Sequence, residues 1–204
     1  MRSFVVAIAV FAGVAGAASP IVATSGYASG SWSQAPVYEY VLLATSRTST
    51  LEEELNASAD AGFRFQDVMG GETAFGGNEV VAVMSRVEGG EPGRYEYKLL
   101  ATSRTSTMQN EAQEAADAGF RYVGQTIFSS TFGGKEVVLI VERDRESEPV
   151  PFEVKLLATS RTGTMQRELE EAGAAGFEFV GFTVASTRFG GSEVVSIMRR
   201  PRER

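Results

Sequence analysis

The segment Leu-Leu-Ala-Thr-Ser-Arg-Thr stands at 42–48, returns at 99–105 and returns again at 156–162, a step of 57 residues each time. Ala-Gly-Phe recurs in the same frame at 61–63, 118–120 and 175–177, and Phe-Gly-Gly-x-Glu-Val-Val at 75–81, 132–138 and 189–195. Aligned without a gap as 38–86, 95–143 and 152–200, the three stretches agree at 20 of 49 positions. Such a chain is one supersecondary unit built three times, and a unit of this size must bury its apolar surface against its siblings. The repeats run 37–87, 94–144 and 152–200. The joints, Glu88 to Gly93 and Arg145 to Pro151, are polar, contain Pro or Gly and show no periodicity, as linkers do.

Within a unit the pattern reads β-α-β-β. In the second copy Tyr95 to Ala101 alternates as a strand, with Tyr95, Tyr97, Leu99 and Ala101 on one face and Glu96, Lys98 and Leu100 on the other. A polar loop, Thr102 to Thr107, then ends in an N-cap candidate. A helix follows from Met108 to Ala118, its stripe formed by Met108, Ala112, Ala115, Ala116 and Gly119. Gly119 suits a left-handed helix end. Phe120 opens a second strand, Phe132-Gly133-Gly134-Lys135 turns the chain, and Glu136 to Arg143 forms a third strand that is apolar on both faces. Such a strand is covered on both faces, one by the helix and the other by a sibling sheet. The expected class is α+β: three tandem β-α-β-β repeats with three-stranded antiparallel sheets in the order 1-3-2 and one helix each. The sheets are expected to pack together with helices outside and approximate threefold pseudo-symmetry. The crossover is expected to be right-handed.

The first 18 residues read as a signal peptide, with Arg2 as a positive start, an apolar run from Phe4 to Val14 and a small-x-small site at Ala15-Gly16-Ala17. The run falls short of the roughly 20 residues that span a bilayer. Residues 19–36, rich in Ser, Gly and Ala, read as a flexible lead. The expectation is an exported protein, periplasmic or extracellular, with no stable membrane anchor after cleavage. Composition narrows its chemistry. The chain has no Cys and no His, which removes thiol nucleophiles, thiolate metal sites, Ser-His-Asp triads and the commonest general base. Neither a metal nor a cofactor is expected. The net charge of −7 disfavours nucleic acid as a partner.

Tyr95-Glu96-Tyr97-Lys98, a Glu-rich helix ending Ala118-Gly119-Phe120 and a Val-rich strand ending at Arg143 resemble a small bacterial domain, the DUF four-one-seven-seven group, with its Tyr-Glu-Tyr-Lys, Gly-Trp-Glu-Leu and β-hairpin pattern. Here Phe63, Phe120 and Phe177 stand where that family has Trp, Val41 replaces the Lys in copy one, and copy three reads Phe152-Glu153-Val154-Lys155. The resemblance implies a β-α-β-β unit of bacterial origin and, because the family has no assigned activity, gives no site.

The candidate ligand residues lie in the repeated loops: Ser46, Arg47 and Thr48; Ser103, Arg104 and Thr105; Ser160, Arg161 and Thr162. Hydroxyls and a guanidinium before a helix start suit an anion or carboxylate. The structural alternative is that the hydroxyls cap the helix while Arg pairs with Glu54, Glu111 and Glu168 or with Glu79, Glu136 and Glu193. The Phe-Gly-Gly turns read as hairpin turns, since no phosphate-loop pattern surrounds them. Glu39, Glu96 and Glu153 recur identically, as structural residues do, and no copy carries a specialised carboxylate pair. No catalytic residue is assigned. The expected function is a non-catalytic binding or interaction module with a protein partner. The alternative is a small-anion or sugar-acid receptor, or a hydrolase, using the Thr-Ser-Arg-Thr loops.

Overall fold

The computed structural model describes residues 35–73, 77–89, 92–102, 105–129, 135–186 and 192–202. The expected signal peptide, nearly all of the lead and nearly all of the Phe-Gly-Gly turns lie outside them, as do Ser103 and Arg104.

Copy one is β1 (Tyr38–Thr45), α1 (Thr48–Asp60), β2 (Arg64–Thr73) and β3 (Gly77–Val87). Copy two is β4 (Tyr95–Thr102), α2 (Thr105–Asp117), β5 (Arg121–Ser129) and β6 (Lys135–Asp144). Copy three is β7 (Phe152–Thr159), α3 (Thr162–Ala174), β8 (Glu178–Ser186) and β9 (Ser192–Pro201). Each copy forms its own three-stranded antiparallel sheet, ordered β1-β3-β2, β4-β6-β5 and β7-β9-β8. The Val-rich closing strand is therefore central. In copy two, Val137 to Val141 are all buried, alternate residues facing opposite layers.

The helices begin one turn earlier than their apolar stripe suggests. Thr48, Thr105 and Thr162 are helical rather than loop residues, because hydroxyl side chains are tolerated in a first turn whose N–H groups have no intrahelical acceptor. Each helix ends at a glycine with positive φ, Gly62, Gly119 and Gly176, which turns the chain back into the sheet.

One side-chain arrangement closes every unit. Arg86, Arg143 and Arg200, at the end of the central strand, pair with Glu39, Glu96 and Glu153 on the first strand. Each Nη1 also donates to a helix-end carbonyl, that of Ala61, Ala118 or Ala175, at 2.7, 3.3 and 2.8 Å. Each guanidinium lies over the ring of Phe63, Phe120 or Phe177, 4.6, 4.7 and 4.5 Å from the centroid. The recurring Glu, Ala-Gly-Phe and final Arg are thus one device that ties helix end to sheet.

The copies stack in chain order. Every sheet has a helix-bearing face and a back face. The helix-bearing side of copy one receives the back of copy two, so Leu51, Leu55, Phe65, Val80 and Met84 share a core with Tyr97, Leu99, Val138 and Ile140. Copy two repeats this toward copy three: Met108, Ala112, Leu139 and Val141 share a core with Ile197, Val154 and Leu156. Helices α1 and α2 sit at these joints, touching both their own sheet and the first strand of the next. They are therefore less peripheral than helices set outside packed sheets. No contact of comparable extent joins α3 to β1.

Candidate functional site

The Thr-Ser-Arg-Thr loops come first because the sequence singles them out. Arg47 and Arg161 are the N-cap residues of α1 and α3, in extended conformation, and neither caps its helix with a side chain. The loop closes on itself: Thr45 Oγ1 accepts from the Arg47 N–H and Thr159 Oγ1 from the Arg161 N–H, both at 3.2 Å. Ser46, Arg47, Ser160, Arg161 and Thr162 are exposed, and neither Arg forms an ion pair among the described residues. Thr48 Oγ1 donates to Glu136 of the next copy at 3.5 Å, so this loop faces a carboxylate. One oxygen each of Glu54, Glu111 and Glu168 is buried without a hydrogen-bond partner. Thr105, half-buried, starts α2. No hydrogen bond or ion pair gathers the three loops into one site among the described residues.

The joints between copies are more highly organised. A sheet edge leaves a row of unpaired N–H and C=O groups, and here helix side chains of the preceding copy cover it. Glu52 accepts from the Leu99 N–H at 2.7 Å, while Asn56 accepts from the Tyr97 N–H at 3.0 Å and donates to the Tyr97 carbonyl at 2.9 Å. One step on, Gln109 accepts from the Leu156 N–H and donates to the Val154 carbonyl, both at 2.8 Å. Gln113 accepts from the Val154 N–H at 2.9 Å and donates to the Phe152 carbonyl at 3.0 Å. The helix positions are the same in both joints, 52 and 56 against 109 and 113, one turn apart on one helix face.

The first joint also holds a buried charge. Glu142, 1% exposed, accepts from Arg64 at 3.1 and 2.9 Å, from Arg121 at 2.8 Å and from the Tyr97 hydroxyl at 2.9 Å. The Tyr97 oxygen in turn accepts from the Phe65 N–H at 2.8 Å. Burial pushes the Glu142 carboxyl up, but the hydrogen bonds and charge of Arg64 and Arg121 outweigh it and hold the group below the usual carboxylate range. Burial drives the Tyr97 phenol far upward. The second joint carries a charge-reversed pair in the same frame, Glu178 with Arg199 at 3.1 Å. It also opens a polar cleft of about 190 Å³ lined by Arg121, Arg143, Arg199, Asp144 and Glu148. Its arginines are already matched to Glu142, Glu96 and Glu178, and Asp144 to Arg94, so the cleft presents no surplus positive charge from these groups.

No family model, curated protein or solved structure matches the chain.

The two ends of the stack are where the joint's halves stand alone. On the back face of copy one Tyr38, Tyr40, Leu42 and Met69 are 51%, 68%, 56% and 60% exposed. Their counterparts Tyr97, Leu99 and Thr126 are buried under copy one. The outer edge of β1 bonds to no helix side chain among the described residues. On the helix-bearing face of copy three, Phe179, Phe182, Val184 and Val194 are exposed, whereas Phe65, Val80 and Val137, at matching positions, are buried. Gln166 and Glu170, the counterparts of Gln109 and Gln113, grip no strand among the described residues, and Gln166 donates to Glu170 at 2.7 Å. Sequence reasoning missed these ends. The signal was present in the 57-residue frame, because a stack of three identical units must leave one back face and one helix-bearing face without a sibling.

Proposed function

We propose that the protein is an exported, non-catalytic interaction module that works through the two apolar ends of its repeat stack. The observation that carries this reading is the exposure of Tyr38, Tyr40, Leu42 and Met69 at one end and of Phe179, Phe182, Val184 and Val194 at the other. Scattered apolar side chains on a surface are ordinary, but contiguous patches mark contact sites, and stacked-repeat proteins need polar outer faces where nothing docks. The absence of His and Cys, and a surface whose organised polar clusters tie copies together, agree with binding rather than turnover. Export rests on the N-terminal pattern from Arg2 to Ala17.

Amide hydrogen exchange on dilute protein tests the reading. The outward amides of Tyr40 and Leu42 should exchange at least a hundredfold faster than those of Tyr97 and Leu99, which hold the same positions beneath a helix. Equal protection at both places would mean the ends are already covered, and the proposal would fall.

A further inference from the structure

We infer that the occupant of each end is the opposite end of another copy of this chain, so that protomers associate head-to-tail. This rests on the interaction reading above and adds the identity of the partner. The chain makes the joint twice within itself, and its two free faces are the two halves of a third. Seated on β1 of a second copy as α2 is seated on β7, α3 would bring Gln166 to the Leu42 N–H and Tyr40 carbonyl, and Glu170 to the Tyr40 N–H. Gln166 both donates and accepts as Gln109 does, and Glu170 can accept as Asn56 and Gln113 do at its position, but it lacks the amide with which they also donate to a strand carbonyl.

A second pair of positions agrees. At the second joint Thr183 donates to Gln125 at 3.1 Å, polar against polar. The frame places Met69 and Phe182 at these two positions in the third joint, apolar against apolar, and both are exposed. A further position opposes the contact. In the first joint the Phe65 ring lies on Gly124, where a Cβ would come within 3.0 Å of the ring, and in the second Tyr122 lies on Gly181, where a Cβ would come within 2.6 Å of the hydroxyl. Copy one has Asp67 at that position, facing Phe179 of the incoming chain. The joint between chains is thus the same joint with misfits at Glu170 and Asp67, weaker than those inside the chain and reversible on dilution. The contact uses two different faces, so it builds rings or open rows rather than symmetric pairs.

Sedimentation velocity on the full chain, run over a wide concentration range, tests the inference. The parent should shift from monomer to larger species as concentration rises. Leu42→Arg, which blocks one end, and Phe182→Arg, which blocks the other, should each stay monomeric. Mixed in equal amounts they should form a dimer that grows no further, because each retains one good face. That recovery also shows that both variants fold. Asp67→Gly should tighten the parent association by about tenfold. If a single blocked variant still assembles like the parent, or the mixture yields no dimer, the head-to-tail contact is refuted. If the parent stays monomeric throughout while the Tyr40 and Leu42 amides exchange freely, self-association is refuted and the interaction reading survives. If it stays monomeric with those amides protected, the end is already covered within the chain and both readings fall.

Discussion

Replacing Glu142 by Gln tests whether the first joint is held by its buried carboxylate. The substitution keeps shape and size but removes the charge that accepts from Arg64, Arg121 and Tyr97. Breaking a buried ion pair by removing one partner costs roughly 3–5 kcal/mol. Arg64 and Arg121 are 43% and 41% exposed, however, and water reaches them once they are released. That rehydration lowers the expected loss to about 2–3 kcal/mol. For a body of this size each kcal/mol moves the melting temperature by about 2–4 °C, so Glu142→Gln should melt about 4–12 °C below the parent. Urea unfolding followed by far-UV circular dichroism, with calorimetry alongside, measures both quantities. A double-mutant cycle with Arg64→Ala should show coupling, because the two side chains share one interaction. A loss under about 0.5 kcal/mol, or strict additivity with Arg64→Ala, would refute the claim that this charge fastens copy one to copy two.

Acid titration gives a linked result. The Glu142 and Asp144 carboxyls are held below their usual range by arginine partners, so their contribution is complete above the unfolded carboxyl values and is lost as pH falls through the folded ones. Stability should therefore be level from about pH 5 to 8 and decline below about pH 4. The gap between the parent and Glu142→Gln should narrow over that decline, as equilibrium unfolding at each pH would show. Replacing Gln109 and Gln113 together by Ala frees the outer edge of β7. Hydrogen exchange should then speed up at Val154 and Leu156, and rehydration of the freed edge groups should hold the stability loss to about 1–3 kcal/mol. Two repeated arginines should separate cleanly in thermal melts. Arg143→Ala loses an ion pair, a helix-end hydrogen bond and a ring contact, and should cost about 2 kcal/mol, whereas Arg47→Ala should stay within about 0.5 kcal/mol.

The unit itself was legible in the sequence. Alternation in Tyr95 to Ala101, the small-residue stripe of α2, Gly119 and the two-sided Val137 to Val141 run each correspond to a physical demand, and the 1-3-2 order follows from one crossover and one hairpin. Three things were not legible. The helix start was hidden because Thr105, Ser106 and Thr107 read as loop chemistry, although a first turn tolerates them. The partner of the repeated Arg86, Arg143 and Arg200 depends on how the helix end meets the sheet, which spacing does not encode. The roles of Gln109 and Gln113 were also invisible, because a polar pair on a helix normally faces water, and only the next copy's strand edge turns it into a clamp.

Divergence among the copies carries information that their identity does not. Positions that agree in all three, such as Glu39, Phe63 and Arg86, serve the fold of each unit. Several positions that differ fall at the joints. Glu142 stands where copy one has Ser85 and copy three has Arg199, and its partner position reads Arg64, Arg121 and Glu178. Gly124 and Gly181 admit a ring from the preceding copy where copy one has Asp67. Three identical units would stack without limit, since each back face would accept any helix-bearing face equally well. Differentiated joints match each copy to its own neighbour, and in the proposed head-to-tail contact Asp67 would place a poor fit on the face that ends the chain. A single Asp67→Gly substitution should consequently lengthen the assemblies while leaving the folded unit intact.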